Sequence, residues 1–406
     1  MNILSVLLIG VAVASLIPAM LVCFYYWLLL VAAVFRKRQM PKAVPCHSLD
    51  RFAIIIPAHN EEDTLGKTLE NCTSLDYPRT SFDIFVIADN CTDGTAKVAE
   101  EFGVKVLERH DTSKKGKGFA LAWALERILP LEHDGIVILD ADCTIDRNAL
   151  RVFDTYFATG RKVLQANYVV ANPDDSPISY ALAVGNLIEN ELFYAPKSAL
   201  GLAVFLRGTG MAFKREVLVS HPWLAHGIVE DVEYSQTLIG SGIKVCFVPE
   251  VKVRSDFPIT GQQLKVQRTR WSSGNVEISK KHAISVMWRG LKSGQKEYID
   301  AGWTLLVLSR PLVLIELGLA IMISLASCYA SPGMAGCWPL FAGLVIMGLH
   351  VIYLLVGVFM VGITTRRVLL MMRAPLVLGN LLFIAVMGIL GAGKDDWAKT
   401  PRMPVR

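Results

Sequence analysis

Charge is absent where a soluble enzyme would carry it. Residues Ile3 to Phe35 include no charged side chain, a run longer than the roughly 20 residues that cross a bilayer. Only 19% of the 406 residues are charged and 53% are hydrophobic, which excludes an ordinary soluble enzyme over the whole length. The run also lacks the basic start, short apolar core and small-residue cleavage site of a secretory signal. It is expected to remain as an anchor, with the basic "RKRQMPK" after it on the cytoplasmic side. Patterned cysteine is missing too. Eight cysteines occur with no C-x-x-C pair and no zinc-ligand spacing, which excludes a zinc ribbon or a dithiol centre. Cys72, Cys91, Cys143 and Cys246 should be reduced thiols. Cys328 and Cys337 flank the loop "SPGMAGC", where a disulfide and two free thiols both stay open. No strongly basic domain is present. The net charge is +5, and Arg36, Lys37, Arg38, Arg366, Arg367 and Arg373 adjoin apolar segments, where anionic lipid headgroups account for them. Nothing points to nucleic acid.

Apolar runs return at Leu312–Ala330, Trp338–Val361 and Leu376–Ala392. The expected organisation is an N-terminal anchor (1–38), a central domain (45–298), a C-terminal membrane region of two or three spans (299–393) and a basic tail (394–406). The tail presents a conflict. Four spans would place it opposite the central domain's start, whereas its lysines and arginines argue for the cytoplasmic side. Either Leu376–Ala392 lies in the interface or re-enters, or the N-terminal run, with Pro18 inside it, is not a single helix.

The central segment, about 250 residues, suffices for one α/β domain. "FAIIIPAHNEE" and "FDIFVIADNCTDGT" each read as a buried strand broken by turn chemistry. "VKVLERH" and "GIVILDADCTID" are further strands, alternating with helical segments, so the sheet should be mostly parallel and doubly wound. Three strand ends then carry acids on one rim: Glu61, Asp89 and the pair Asp140 and Asp142. With Lys114, Lys115 and Lys117 nearby, that rim suits a nucleotide and a divalent metal. A polar turn after a strand is the plain alternative for any one of these acids.

In order, "IIIPAHNEE", "VIADNCTDGT", "KGKGFAL", "LDADCTID", "VEDVEYS" and "QRTRW" resemble the motifs of family 2 glycosyltransferases, specifically the membrane-bound members that build polysaccharides such as cellulose, chitin and hyaluronan. The resemblance covers Phe52 to about Gly274. It implies a GT-A fold (a Rossmann-like mixed α/β sheet) with N- and C-terminal membrane helices, and a nucleotide-sugar donor, most often a UDP-sugar. By resemblance, Pro57, Glu61, Asp89 and Lys117 line the nucleotide, Asp140 contacts ribose or donor sugar, and Asp142 holds Mg²⁺ or Mn²⁺. Asp231, beside Glu230, matches the general base of an inverting transfer. A helix N-terminus there should keep its pKa low, and simple helix capping is the alternative role for both acids. Gln267, Arg270 and Trp271 match Q-x-x-R-W, with Arg270 towards the diphosphate and Trp271 offering a stacking face or an interfacial anchor. Arg207, Gly208, Thr209 and Gly210 occupy the acceptor-side loop and depart from its aromatic version. Gln165–Asp174 should be a loop of the sugar pocket. Trp397, Thr400 and Arg402 resemble a W-x-x-T-x-R ending found in some bacterial members.

The expected activity is transfer to a saccharide or polyprenyl-lipid-linked acceptor during exopolysaccharide assembly at a bacterial inner membrane, with other assembly proteins as partners. A processive synthase that secretes its own polymer is the alternative. An inactive membrane transport protein is more remote, because Glu316, with Arg310 near the start of its segment, is the lone acid found within the C-terminal spans.

Overall fold

The computed structural model describes residues 3–36, 49–307 and 310–392. The tail motif of Trp397, Thr400 and Arg402, and the linker after Arg36, lie outside the described residues. An eight-stranded sheet runs in the order β3-β2-β1-β4-β7-β6-β8-β5. Its strands are β1 Phe52–Ala58, β2 Phe82–Asp89, β3 Lys105–Arg109, β4 Gly135–Ile138, β5 Thr144–Ile145, β6 Val163–Val170, β7 Met211–Lys214 and β8 Val245–Ser255. The first half is parallel as expected. The second half is mixed, with β7 antiparallel to both β4 and β6, and β5 antiparallel to β8. "Mostly parallel" is therefore right only up to β4. Gln165–Val170 is strand rather than loop.

Side-chain alternation divides the core across this sheet. From β1, Phe52, Ile54 and Ile56 face one layer, while Ala53 and Ile55 face the other. Pro57 sits inside a central strand, where a missing N–H is normally damaging. Here it is harmless. Ile55, two residues earlier, faces β4 and accepts from Leu139 N–H at 3.0 Å, so Pro57 faces the same side, beyond the last β1–β4 pair, Ile55↔Ile138. β4 leaves the sheet at that point, as expected from "VILDAD".

The helices are α1 Ile3–Phe35, α2 Glu62–Thr73, α3 Thr95–Glu101, α4 Lys117–Ile128, α5 Ala149–Ala158, α6 Pro177–Leu187, α7 Ala195–Ala199, α8 Arg215–Ser220 and α9 Glu230–Gly240. α10 Gly261–Ser293, α11 Lys296–Val307, α12 Arg310–Ala330, α13 Met334–Val361, α14 Thr365–Met371 and α15 Ala374–Ile389 follow. The expected boundary at Tyr298 falls within α11. Between α6 and α7, Ile188–Tyr194 winds as a π-helix. α1, α12 and α13 are each long and apolar enough to cross a membrane, and α14 with α15 forms a pair bent by 46°. The N-terminal run is thus one helix despite Pro18. By length and composition, the bent C-terminal pair is either a broken span or a re-entrant segment. Cys328 and Cys337 form a disulfide between α12 and α13.

The membrane helices do not merely tether the domain. Val22, Tyr26 and Leu29 of α1 and Tyr353 of α13 belong to the same buried cluster as Ile55, Phe85 and Phe213 of the sheet. A buried ion pair fastens the junction. Lys197 Nζ meets Asp300 Oδ2 at 3.0 Å, with both side chains almost wholly enclosed. Asp300 also accepts from Tyr25 Oη and, at 2.9 Å, from the Ala203 N–H, while Lys197 donates to Thr304 Oγ1. Removing one member of such a pair strands the other charge. Lys197→Met is therefore expected to destabilise the protein by about 3–5 kcal/mol, read as a lower unfolding temperature in detergent. Tyr25→Phe, which removes one hydrogen bond, should cost about 1 kcal/mol.

Candidate active site

The loops at the carboxyl ends of β1, β2 and β3 are braced against one another before any ligand arrives. Asn60 and Asn90 both take left-handed backbone conformations, φ 57° and 51°, which Asn tolerates better than most residues. Each side chain spans to the next loop. Asn60 Oδ1 accepts from Thr92 N–H at 2.8 Å, and Asn90 exchanges hydrogen bonds with the backbone of Asp111 at 2.8 and 3.2 Å. Glu61 is tied in by its own N–H to Thr95 Oγ1 at 2.8 Å and by Thr64 Oγ1 donating to its Oε2 at 2.8 Å. Asp89, at the end of β2, is fixed by Arg109 Nη1 at 2.6 Å. Burial raises the Asp89 pKa against the pull of that arginine. Arg109, Asn60 and Asn90 were missed in the sequence. Asp-Asn and His-Asn before turn residues are the signal that could have marked the two asparagines.

The pair after β4 is held from behind by α2. Thr68 Oγ1 donates to the Ala141 carbonyl at 2.8 Å, and Asn71 exchanges two hydrogen bonds with the Ile145 backbone at 2.7 and 3.0 Å. Asp140, Asp142 and Cys143 bring one ligand atom each within 4.8 Å of one another. The buried Cys143 thiol is pushed well above its usual pKa by burial and by Asp142 and Asp140, so it contributes little as a thiolate. The two carboxylates remain, hard oxygen donors suited to Mg²⁺ or Mn²⁺.

Lys117 gathers the rest. It is the first residue of α4, not of a loop, and its Nζ contacts Asp140 Oδ1, donates to the Gly208 carbonyl at 2.6 Å and lies 3.7 Å from Glu230 Oε1. Burial opposes its charge, but Asp140 and Glu230 hold its pKa above the ordinary value. Gly118 makes that reach possible. A Cβ there would stand 2.2 Å from the Ala225 carbonyl oxygen, so only glycine lets α4 approach the segment leading into α9. Lys114 and Lys115, grouped with Lys117 in the sequence, are exposed.

Gly208 adopts φ +78°, and its face lies against Asp231 and Lys117. Thr209 Oγ1 accepts from Asp140 N–H at 3.0 Å. Gln165, fully buried on β6, clamps this loop by accepting from Arg207 N–H at 2.8 Å and donating to the Thr209 carbonyl at 2.9 Å. Its place is thus behind the acceptor-side loop. α9 begins at Glu230 with Val229 as N-cap, and neither acid serves as the cap. Asp231 Oδ1 accepts from Val232 N–H at 2.9 Å.

Burial raises the pKa values of both acids, Glu230 to about 7. The expectation that the helix N-terminus would keep Asp231 low is corrected: desolvation outweighs the backbone N–H groups. Arg270 lies within electrostatic reach of Glu230 and Asp140, and burial lowers its pKa against their pull. Gln267 points a buried Oε1 with no hydrogen-bond partner, and one side of the Trp271 ring is covered by the Arg268 guanidinium at 4.8 Å.

Asp140, Asp142, Glu230 and Asp231 stand against two cations, Lys117 and Arg270. Counted over these six groups fully ionised, negative charge exceeds positive by two, the charge of one divalent ion. With the ion absent, protonation of Glu230 relieves part of the excess. The protonated form is favoured by the fold, so its stabilising contribution is complete below the ordinary 4.5 and is lost as pH rises through about 7. Ligand-free protein should therefore lose thermal stability as pH rises from about 4.5 to about 7, and Glu230→Gln should flatten that slope in melting curves.

Residues 50–274 match the family model described as "Glycosyltransferase like family 2". A beta-monoglucosyldiacylglycerol synthase of Nostoc sp. is 29% identical over 255 residues, 60% of this chain and 52% of that protein. The poly-beta-1,6-N-acetyl-D-glucosamine synthase of Staphylococcus aureus is 24% identical over 253 residues, 59% of this chain and 58% of its own. The chain thus spans between half and three-fifths of these relatives. Among solved structures, the mannosyltransferase PcManGT from Pyrobaculum calidifontis, in complex with GDP-Man and Mn²⁺, matches with TM-score 0.60 at 20% identity, covering 94% of this chain and 99% of that one. The domain fold is thereby GT-A-like.

Proposed function

Because the chain belongs to glycosyltransferase family 2, we propose that it transfers a sugar from a nucleotide-sugar donor, a UDP-sugar by its motifs, to an acceptor presented at the membrane. The observation that carries this reading is the convergence of Lys117, Asp140, Gly208, Glu230 and Asp231 at the carboxyl edge of the sheet. Glu61 and Asp89, on the braced β1 and β2 loops, sit where base and ribose would bind. Asp142, with Asp140, would hold Mg²⁺ or Mn²⁺, and the ion would neutralise charge developing on the diphosphate leaving group. The relative solved with GDP-Man and Mn²⁺ supports that assignment.

Asp231 takes the proton from the acceptor hydroxyl as its oxygen attacks the anomeric carbon. Burial raises its proton affinity, which suits a base. One direct displacement inverts the anomer. Lys117 holds Asp140 and Glu230 in register, and Arg270 faces the diphosphate side. Gly208 and Thr209 set the depth at which an acceptor approaches Asp231. Gln267 supplies an unpaired acceptor atom for a ligand hydroxyl, and the Trp271 ring is the group for stacking.

The disulfide Cys328–Cys337 supports the orientation. It lies across α12 from the central domain, whose described cysteines are free. Disulfides persist on the oxidising side of a membrane, which supports a cytoplasmic domain. The acceptor is a lipid-linked or growing saccharide of cell-surface polysaccharide assembly. A processive synthase is the second reading, favoured by Gln267, Arg270 and Trp271 and by the poly-N-acetylglucosamine synthase relative. Three long spans and one bent pair enclose little room for a polymer channel.

With purified protein, a nucleotide-sugar panel and Mn²⁺ or Mg²⁺, one donor should be consumed, and chelation should stop it. Asp231→Asn should lower transfer by about 10²–10⁴-fold while donor binding persists. Asp142→Asn should abolish both metal dependence and transfer. Failure of every donor to bind or turn over, with membrane lipid extract as acceptor source, would overturn the proposal. Product length separates single addition from polymerisation.

A further inference from the structure

A second charged cluster lies on the membrane side of the acceptor pocket, and its sign is opposite to that of the metal side. Three arginines from three distant parts of the chain surround Glu189 on the π-helix. Arg207 Nη2 pairs with Glu189 Oε2 at 3.0 Å, and its Nη1 contacts Asn190 Oδ1. Arg310, the first residue of the α12 span, donates to the Gly185 carbonyl at 2.7 Å. Arg268, on α10, has a buried Nε with no hydrogen-bond partner. All three act electrostatically on Glu189, which stays ionised below its ordinary pKa in spite of burial. The neighbouring Glu191 is matched by Arg36 at 3.4 Å. Three guanidiniums less one carboxylate leave two positive charges here.

Such a surplus is not a packing device. A π-helix interrupts the regular hydrogen-bond ladder and is frequent at functional sites. Buried charges without a matching partner are destabilising, so this site is built for a counter-charge that the described residues do not supply. The cluster is not sealed: Arg207 and Glu189 keep 14% and 29% of their side-chain surface exposed. It is also next to the chemistry. Tyr194 is within electrostatic reach of Asp231, Arg207 and Arg310, and Tyr168 of Asp142, Asp140 and Arg268. On its far side are Tyr26 of α1 and Tyr353 of α13, both on membrane spans and both electrostatically coupled to Arg310.

We infer that Arg207, Arg268 and Arg310 form an anion subsite that holds the phosphoryl headgroup of a lipid acceptor. Guanidinium forks match phosphate oxygens two at a time. Two uncompensated charges match a phosphomonoester, about −1.5 to −2 at neutral pH, or a diphosphate, better than a singly charged diester. A neutral diacylglycerol headgroup would leave them unanswered. This inference rests on the transferase reading only for the word acceptor. The subsite itself stands on the arginines.

The test uses the full-length protein in a neutral detergent. Binding of dodecyl phosphate is measured beside dodecanol and inorganic phosphate, and binding of UDP and of the other nucleoside diphosphates, each with Mn²⁺, is measured on the same wild-type sample. Dodecyl phosphate should bind wild type and be weakened at least tenfold in Arg268→Gln and in Arg310→Gln, with Arg268→Lys retaining most of the affinity and reporting an intact fold. Dodecanol should not compete. Equal binding of dodecyl phosphate by wild type and both Gln variants overturns the inference, as does its absence. Inorganic phosphate binding as tightly as the alkyl phosphate overturns the lipid assignment. Failure of UDP–Mn²⁺ and of the other nucleoside diphosphates with Mn²⁺, with arginine-dependent dodecyl phosphate binding, would sink the transferase reading and leave the subsite standing.

Discussion

The ammonium of Lys117 sets the geometry on which this site depends. Two carboxylates about 4 Å apart repel by on the order of 4 kcal/mol at an effective dielectric of 20, and Asp140 and Glu230 would separate without a cation between them. Lys117 reaches both, and the Gly208 carbonyl as well. It thereby joins the end of β4, the start of α9 and the acceptor-side loop, which come from three separate parts of the chain. Several local features of the fold serve that junction. Gly118 brings α4 close enough, β4 stops at Ile138 so that Asp140 turns outward, and Gln165 keeps the Arg207–Thr209 loop from sagging away.

The membrane helices take part in this architecture. α1 and α13 pack into the layer of the core that also holds α4 and the buried side of α9. The Lys197–Asp300 pair fastens α7 to α11, and Tyr25 brings α1 to the same carboxylate. A buried salt bridge rarely adds much net stability, but it fixes one arrangement over others. The pocket behind Arg207 is shaped by the π-helix, whose position follows from helices on both sides of it. A domain cut free of its spans would lose one wall of its acceptor side.

The sequence made the donor side legible and left much of the acceptor side obscure, for physical reasons. Asp140, Asp142, Glu61 and Asp89 follow buried strands directly, so strand-end chemistry places them on one rim before any tertiary contact is known. Lys117 was recognisable from its motif, though its loop neighbours Lys114 and Lys115 were not separable from it by composition. Gln165 and Asn167 made β6 look like a loop. Their side chains point to the same buried face two residues apart, where Gln165 pairs with backbone and Asn167 with the Glu191 carboxylate, partners that no local pattern predicts. Arg109 with Asp89, and Lys197 with Asp300, are pairs made by topology. The mixed half of the sheet escaped for the same reason, since β7 and β6 join only through non-local pairing.

Charge is segregated along the pocket, and that segregation orders the reaction. The strand-end side carries a negative excess that a divalent ion can cancel. The membrane side carries a positive excess around Arg207, Arg268 and Arg310. Between them, Arg207 lies 5.8 Å from the ring of Tyr168 and 5.6 Å from that of Tyr194, so two aromatic faces separate the halves while a single arginine touches both. A donor diphosphate with its metal is nearly neutral overall on the acid side and repelled by nothing there. A bare phosphoryl group is repelled by the acids and drawn to the arginines. On the proposed reading, the two substrates would be sorted by charge state before shape is considered, and the acceptor hydroxyl would reach Asp231 from the membrane side.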